Sequence, residues 1–426
     1  MISDERGHAR GRIALAGAAG SHPQTIRLVA AALDGAGADT PLVIDMSGFD
    51  RRGSADYALR KADVVRPDPQ EAGLSSRFAT AAPNIVLSGG VRAFARLHAM
   101  FGDLMDEAHI GVLMMCHSWG FPEQALIRAA RDRGIIVFEI DEGPFSLPLR
   151  GTVPETSRPI ARLGLRALRG LRLLPPRDMT GRLIDRVLVT AKGRREQLIE
   201  RGVDPDKLII VPPPRFDRLA DLAQAWPGRT FDQNARRILW LHQPFRADGK
   251  VRADEVDRAE QALASALARV GARLPIRVIP RLHPRSDENE RARLFALLEG
   301  RGLTIQAEAP RRLYESMLGA DAAVGFYSSA LLEAAVCTMP VVAVRLDPAA
   351  FDQKTEAAKA GAMGALGIPV ARGAGELAAI LEAGLVKATR PVPPRLLEQE
   401  IGWLNGKGAS TVAALLIDAL PDQASA

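Results

Sequence analysis

The sequence predicts an α/β protein of two parallel-sheet domains facing a cleft. Short apolar runs alternate with helical patterns along most of the chain, the first run opens into a glycine-rich turn, and a polar stretch interrupts the series midway. At 426 residues, 47% of them hydrophobic, the chain is also long enough for two cores.

The first domain is read over residues 1–228. Behind the polar leader "MISDERGHARGR", the stretch "RIALAGAAGSHPQTIRLVAAAL" reads as strand, glycine-rich turn and helix, the opening of a Rossmann-like half. The runs "TPLVIDM", "NIVLSGG", "HIGVLMMC" and "GIIVFEID" continue as strands, with helices such as "FPEQALIRAARDRG" between some of them. Residues 157–182 break the pattern with seven arginines, one aspartate and leucines at helical spacing. Strand–helix–strand returns in "RVLVTAKGRREQLIERGVDPDKLIIV", and 225–237 is the linker candidate. A second alternating series fills 229–395: "RILWLHQP", a helix over 253–270, "IRVIPRLHP", a helix over 286–300, then "LTIQAE", "LYESMLGA", "AAVGFYSSALLEAAV" and "PVVAVRL". Residues 396–426 read as a helical tail for which a return to the first domain is open.

Composition narrows the partners. The net charge of +6 favours anionic ones, while a 5% aromatic content without interleaved basic residues argues against nucleic acid. Cys116 and Cys337 sit in apolar runs and read as buried thiols of a reducing compartment. Cysteine and histidine spacing gives no metal site. Without a signal-like stretch or a run of ~20 apolar residues, the expected location is cytoplasmic. Any membrane contact is then peripheral, at the inner face, through the basic segment 158–177. That segment reads as a helix for an anionic membrane or an acidic polymer, or as a solvated cationic face packed by its leucines.

Five strand ends carry polar residues suited to chemistry. His283 and Pro284 follow "IRVIP" between Arg281 and Arg285, a cationic setting for an anion. Ser328 and Ser329 end a strand where a helix begins at about Ala330; their hydroxyls and the helix N–H groups suit either capping or phosphate binding. Glu333, one turn on, reads as a solvated or paired helix residue or as a ribose acceptor. Asp141, Glu142 and Gly143 end "GIIVFEID", where adjacent carboxylates read as a turn or as a general base. His242, Gln243 and Pro244 open the second domain as strand and turn. Ser21 and His22 lie in the first glycine-rich turn, facing an acceptor or capping the next helix.

The order Asp-Glu-Gly, His-Pro, Ser-Ser resembles the bacterial sialyltransferases and polysialyltransferases of the GT-B architecture. Their D/E-D/E-G, HP and S-S/T motifs match Asp141, Glu142 and Gly143, then His283 and Pro284, then Ser328 and Ser329. The stretch "HQPFRADG" is similar to one that opens their donor domain, which brings in Gln243 and Pro244. The resemblance covers most of the chain as architecture but only short motifs as identity. It implies a CMP-activated nonulosonic acid as donor, a glycan or glycolipid acceptor, no cofactor and no required metal, and a role in capsule or surface polysaccharide synthesis. Asp141, preferred over Glu142, would be the base; His283 would donate to the phosphate that Ser328 and Ser329 hold. Rival readings are a CMP-Kdo transferase, a glycerophosphotransferase or UDP-sugar epimerase-like enzyme, and a non-catalytic polyanion-binding protein.

Overall fold

The structure is a computed structural model. It describes residues 11–18, 22–49, 62–74, 86–118, 120–141, 167–168, 170–171, 173–175, 181–225, 234–243, 245–248, 252–283, 286–306, 313–326, 328–337, 340–344, 363–364, 366–386 and 394–421. The chain divides into two compact units, Met1–Asp217 with Ile401–Ala426, and Arg218–Glu400.

The first unit contains β1 (Arg12–Gly17), α1 (His22–Gly35), β2 (Leu42–Asp45), β3 (Asp63–Val65), α2 (Val91–Glu107), β4 (Ile110–Met115), α3 (Phe121–Asp132), β5 (Ile136–Asp141), β6 (Arg186–Val189), α4 (Lys192–Glu200) and β7 (Leu208–Ile210). Helix α5 (Asp217–Ala225) starts at its end. The strands form one seven-stranded sheet, β3-β2-β1-β4-β5-β6-β7, with parallel pairing throughout. Order reverses between β1 and β4, the topological switch of a doubly wound sheet.

Alternation of side chains along the strands builds two cores. Ile13 and Leu15 of β1 pack with Ile26, Val29 and Leu33 of α1. Ala14 and Ala16 belong to the opposite layer, with Leu97 and Phe101 of α2 and Leu126 of α3. Burial on both faces explains why these strands are apolar runs rather than alternating patterns.

The second unit contains β8 (Arg236–Leu241), α6 (Phe245–Asp248), α7 (Ala253–Gly271), β9 (Ile276–Arg281), α8 (Glu288–Glu299), β10 (Thr304–Ile305), α9 (Leu313–Gly319), β11 (Ala322–Phe326), α10 (Ser329–Val336), β12 (Val341–Val344), β13 (Val370–Ala371), α11 (Ala374–Val386) and α12 (Pro394–Glu400). Its six strands run β10-β9-β8-β11-β12-β13, again parallel, with the switch between β8 and β11. Trp240, Val278 and Val324 pack with Leu263 and Leu267 of α7, Leu294 and Leu298 of α8, and Leu381 of α11.

Two sequence expectations need correction. "NIVLSGG" is not a strand where it is described: Val86 and Leu87 form a helical turn leading toward α2. The glycines at 89 and 90 both take positive φ, so the chain turns there into a helix. The strand paired with β2 is instead Asp63–Val65, an edge strand whose Val64 is exposed, which hid its apolar pattern. Most of 157–182, including Arg162, Arg166, Arg169 and Arg172, and most of the linker stretch 225–237 lie outside the described residues.

The tail forms α13 (Gly408–Asp418), which belongs to the first unit and packs on α1; Val412 and Leu416 join the core of Leu15 and Val29. Asp217 holds its start: the carboxylate accepts from the Gly408 and Ala409 N–H groups at 2.7 and 2.8 Å. A Cβ at Gly408 would meet the Pro212 carbonyl oxygen at 2.6 Å, so only glycine lets the helix approach this closely. Asp217→Ala is therefore expected to cost about 1 kcal/mol, as loss of a cap does. Gly408→Ala should cost roughly 1–3 kcal/mol through overpacking. Hydrogen exchange of the α13 amides should speed up in both variants; unchanged protection would show that the tail is held by its apolar face alone.

Candidate functional site

The parallel order of the second sheet determines what can meet. β9, β8 and β11 are consecutive neighbours, so the residues that follow them share one sheet edge. Leu241 is registered with Arg281 on one side and Gly325 on the other. Gln243 and His283 each stand two residues beyond these partners, and Ser328 three beyond Gly325. A Cβ at Gly325 would meet the Leu241 carbonyl oxygen at 2.8 Å, so glycine keeps β11 close to β8 at the switch.

Ser328 is the N-cap of α10, with extended backbone (φ −130°, ψ 144°) and its Oγ accepting from the Ala330 N–H at 3.2 Å. This is a true helix start, with the positive end of the macrodipole at the sheet edge. Ser329 is the first residue of α10; its side chain, like Pro284 and Pro244, lies outside the described residues. His283 is half-buried, and its carbonyl accepts from the Ser286 N–H at 2.8 Å, closing the turn after β9. Gln243 is half-buried, its carbonyl accepting from the Phe245 N–H at 2.9 Å. Glu333 is buried at 4% exposure, so the expectation of a solvated helix residue is corrected.

His242 anchors this edge from beneath. Its N–H donates to the Arg281 carbonyl at 2.9 Å, and its fully buried ring meets Glu260 Oε1 of α7 through Nε2 at 2.9 Å. Arg293 of α8 grips the same carboxylate. Burial pushes the Glu260 pKa up, but hydrogen bonds from His242 and Arg293 outweigh it and hold the carboxyl below its ordinary value. The loop after β8 is thus tied to two helices.

In the first unit the acidic motif is only partly described: Glu142 and Gly143 lie outside the described residues. Asp141 is the last residue of β5, and its Oδ2 accepts from Arg194 Nε of α4 in an ion pair with both side chains under 5% exposed. Arg201 lies close enough that Asp141 acts on it; burial lowers the Arg201 pKa, repulsion from Arg194 lowers it further, and Asp141 opposes both. Sequence reading expected a carboxylate crowded by another carboxylate at a strand end. The structure gives one clasped by a guanidinium, which joins β5 to α4 and leaves little access for an incoming hydroxyl.

Other residues gather at the β1–β4 switch. His22 opens α1, and its Nδ1 accepts from the Ala18 N–H at 3.1 Å, not from a helix N–H. Its ring lies 5.0 Å from that of His117, centroid to centroid. His117 follows β4, and its Nε2 meets Glu123 Oε1 at 3.2 Å. Ser118 Oγ donates to Glu139 Oε2 at 2.9 Å, and the Gln124 amide donates to the Ser118 carbonyl. Ser21 lies outside the described residues. Sequence reading missed His117 and Glu123. The available signal was the one used for His283, a histidine directly after an apolar strand. Among the described residues, no group of three or more His, Cys, Asp or Glu side chains is arranged to hold a metal ion, and no helix is long and apolar enough to cross a membrane.

No protein-family model matches the chain, and no curated protein matches it by sequence. Solved structures do match over nearly the full length. The calicheamicin glycosyltransferase CalG4 aligns with a TM-score of 0.58 at 16% identity, covering 98% of this chain and 100% of its own. MurG of Acinetobacter baumannii gives 0.56 at 14%, covering 96% and 99%. The UDP-GlcNAc 2-epimerase of Neisseria meningitidis, solved with UDP-GlcNAc bound, gives 0.53 at 12%, also covering 96% and 99%. These likenesses show the fold: two Rossmann-like parallel-sheet units of the GT-B kind.

The Glu260 network yields a stability test with a defined sign. A carboxyl whose folded pKa is depressed stabilises fully above its unfolded value, about 4.3 for Glu, and loses that contribution as pH falls through the lower folded value. Glu260→Gln should therefore cost up to about 3 kcal/mol at pH 7, the low end for a broken buried pair because Arg293 keeps part of its guanidinium in solvent. The gap to the parent protein should be constant above about pH 5 and close below about pH 4. Denaturant titrations across that range check it; a gap independent of pH would exclude an ionised Glu260 as its source.

Proposed function

We propose that the chain is a metal-independent glycosyltransferase that moves a sialic-acid-like nonulosonic acid from a CMP-activated donor to a glycan or glycolipid hydroxyl, in capsule or surface polysaccharide synthesis. The observation that carries the reading is the sheet edge after β9, β8 and β11. It aligns His283, Gln243 and Ser328 and sets the N-terminus of α10 among them. A leaving nucleotide phosphate needs donors where negative charge develops. The helix N–H groups with their dipole, the Ser328 and Ser329 hydroxyls and the His283 imidazole are such donors. Gln243 falls at the same edge, Pro244 is the residue that follows it in the motif, and Glu333 within α10 is the candidate for a ribose hydroxyl. CMP leaves as a single phosphate, so uncharged donors and a dipole suffice without a bound cation.

A second reading, transfer or modification of a UDP-sugar, is favoured by the similar structures, one solved with UDP-GlcNAc and another with UDP. Nucleotide-dependent thermal shifts without added metal separate the two. CMP is expected to stabilise the protein more than UDP does, following the ratio of ligand concentration to Kd. His283→Ala and Ser328→Ala should each weaken CMP binding about tenfold or more, the worth of one charge-assisted hydrogen bond. Stabilisation by UDP equal to or above that by CMP moves the assignment to the UDP-sugar reading.

The basic segment 158–177 is assigned to an anionic membrane surface or an acidic polymer; in the first case the protein sits peripherally at the inner face of the membrane. Neutralising Arg162, Arg166, Arg169 and Arg172 together should release the protein from vesicles of anionic phospholipid and leave nucleotide binding intact. Retention on the vesicles would remove the membrane role.

A further inference from the structure

The described end of the basic segment lies against the start of α2, and the two share an apolar surface. The Leu171 N–H donates to the Ala167 carbonyl at 2.8 Å and the Leu173 N–H to the Leu168 carbonyl at 2.9 Å, so the stretch closes as a turn of helix. Leu174 joins the core of Leu97 and Phe101, and Leu168 packs against it. Leu171 and Leu173 point the other way, 69% and 42% exposed. A Cβ at Gly90 would clash with the Leu173 carbonyl, so this backbone runs directly against the turn before α2. That turn repeats the pattern: Val86 packs on the same core, while Leu87 and Val91 are 84% and 41% exposed. Arg96 braces it, donating to the Ser88 carbonyl at 3.1 Å and to the Ala72 carbonyl at 2.9 Å.

Four of the seven large apolar side chains exposed among the described residues thus come from these two adjoining stretches. Single exposed leucines are ordinary, but a fixed group of them marks a surface for an apolar partner. The charge around it says which. Residues 158–177 hold six arginines and no acidic residue, and exposed Arg92 follows Val91. Two copies of the chain meeting at this surface would bring like charges together. An acidic polymer would satisfy the arginines and leave the leucines in water. An anionic bilayer takes both, headgroups against cations and acyl chains against apolar side chains. Because α2 ends just before β4 begins, its start stands at the carboxyl edge of the first sheet.

We infer that Leu87, Val91, Leu171 and Leu173 enter the acyl layer of an anionic membrane, turning this edge of the first unit toward the bilayer. The inference rests on the membrane reading of the basic segment. It adds what charge alone lacks, an apolar anchor that salt does not screen, and it brings in two residues from outside that segment.

Flotation of the full-length protein with vesicles of equal parts phosphatidylglycerol and phosphatidylcholine tests it. The parent protein is expected to bind and to keep part of its binding at about 1 M salt, where the Debye length falls to about 3 Å. Leu87→Ser, Val91→Ser, Leu171→Ser and Leu173→Ser together should weaken partition about tenfold or more and make the remainder fully salt-sensitive. Heparin, an acidic polymer without an apolar layer, should bind the parent and this variant equally. A single-site probe keeps the test valid if the quadruple variant folds poorly. A nitrobenzoxadiazole label on Leu171→Cys should shift its emission to the blue on the vesicles, with buried Cys116 and Cys337 left unlabelled. Unchanged emission overturns the inference, as does undiminished flotation of the quadruple variant. So does a parent protein that ignores the vesicles and dimerises, with the four replacements making it monomeric. Failure of the basic-segment reading looks different: neutralising the four arginines leaves flotation intact, while the four serine replacements still abolish it.

Discussion

Parallel pairing is the constraint on which the rest depends. Every strand pairing among the described residues is parallel, so within each sheet the carboxyl ends lie along one edge. At the switch between β1 and β4, and again between β8 and β11, the connecting helices leave toward opposite faces and open a crevice at that edge. His22 and His117 flank the first crevice; Gln243 and Ser328 flank the second. Residues more than eighty positions apart become neighbours in register by this geometry alone.

Buried charges then hold the strand ends in place. Arg194 ties Asp141 of β5 to α4, and His242 with Arg293 ties Glu260 of α7 to the loop after β8. At the opposite end of β8, buried Asp321 accepts from the Arg237 N–H at 2.7 Å and aligns the start of β11. Polar groups this deep are costly unless fully engaged. Their value is in specifying where each strand stops, which decides what the following loop presents.

Legibility followed physical visibility. Strands buried on both faces announced themselves as apolar runs, and β1, β2, β4, β5, β8, β9, β11 and β12 were readable because their sequences are nearly continuous hydrophobes. The edge strand Asp63–Val65 carries two exposed residues and gives no such run, whereas "NIVLSGG" looks like a strand but its described part begins a helical turn. Strand-end motifs were readable as positions. Their partners were not, because a pair such as Asp141 with Arg194, or His117 with Glu123, joins two elements whose packing no local pattern encodes. An acidic pair at a strand end therefore read as a base, though its described member is clasped by an arginine from the next helix.

The two sheet edges handle charge differently. The second edge carries a capped helix start, a hydroxyl and an imidazole, groups that favour an anion. The first edge carries a buried carboxylate behind an imidazole. One fold, used twice, carries such different groups because the polar residues at a strand end can change while the sheet beneath them stays the same.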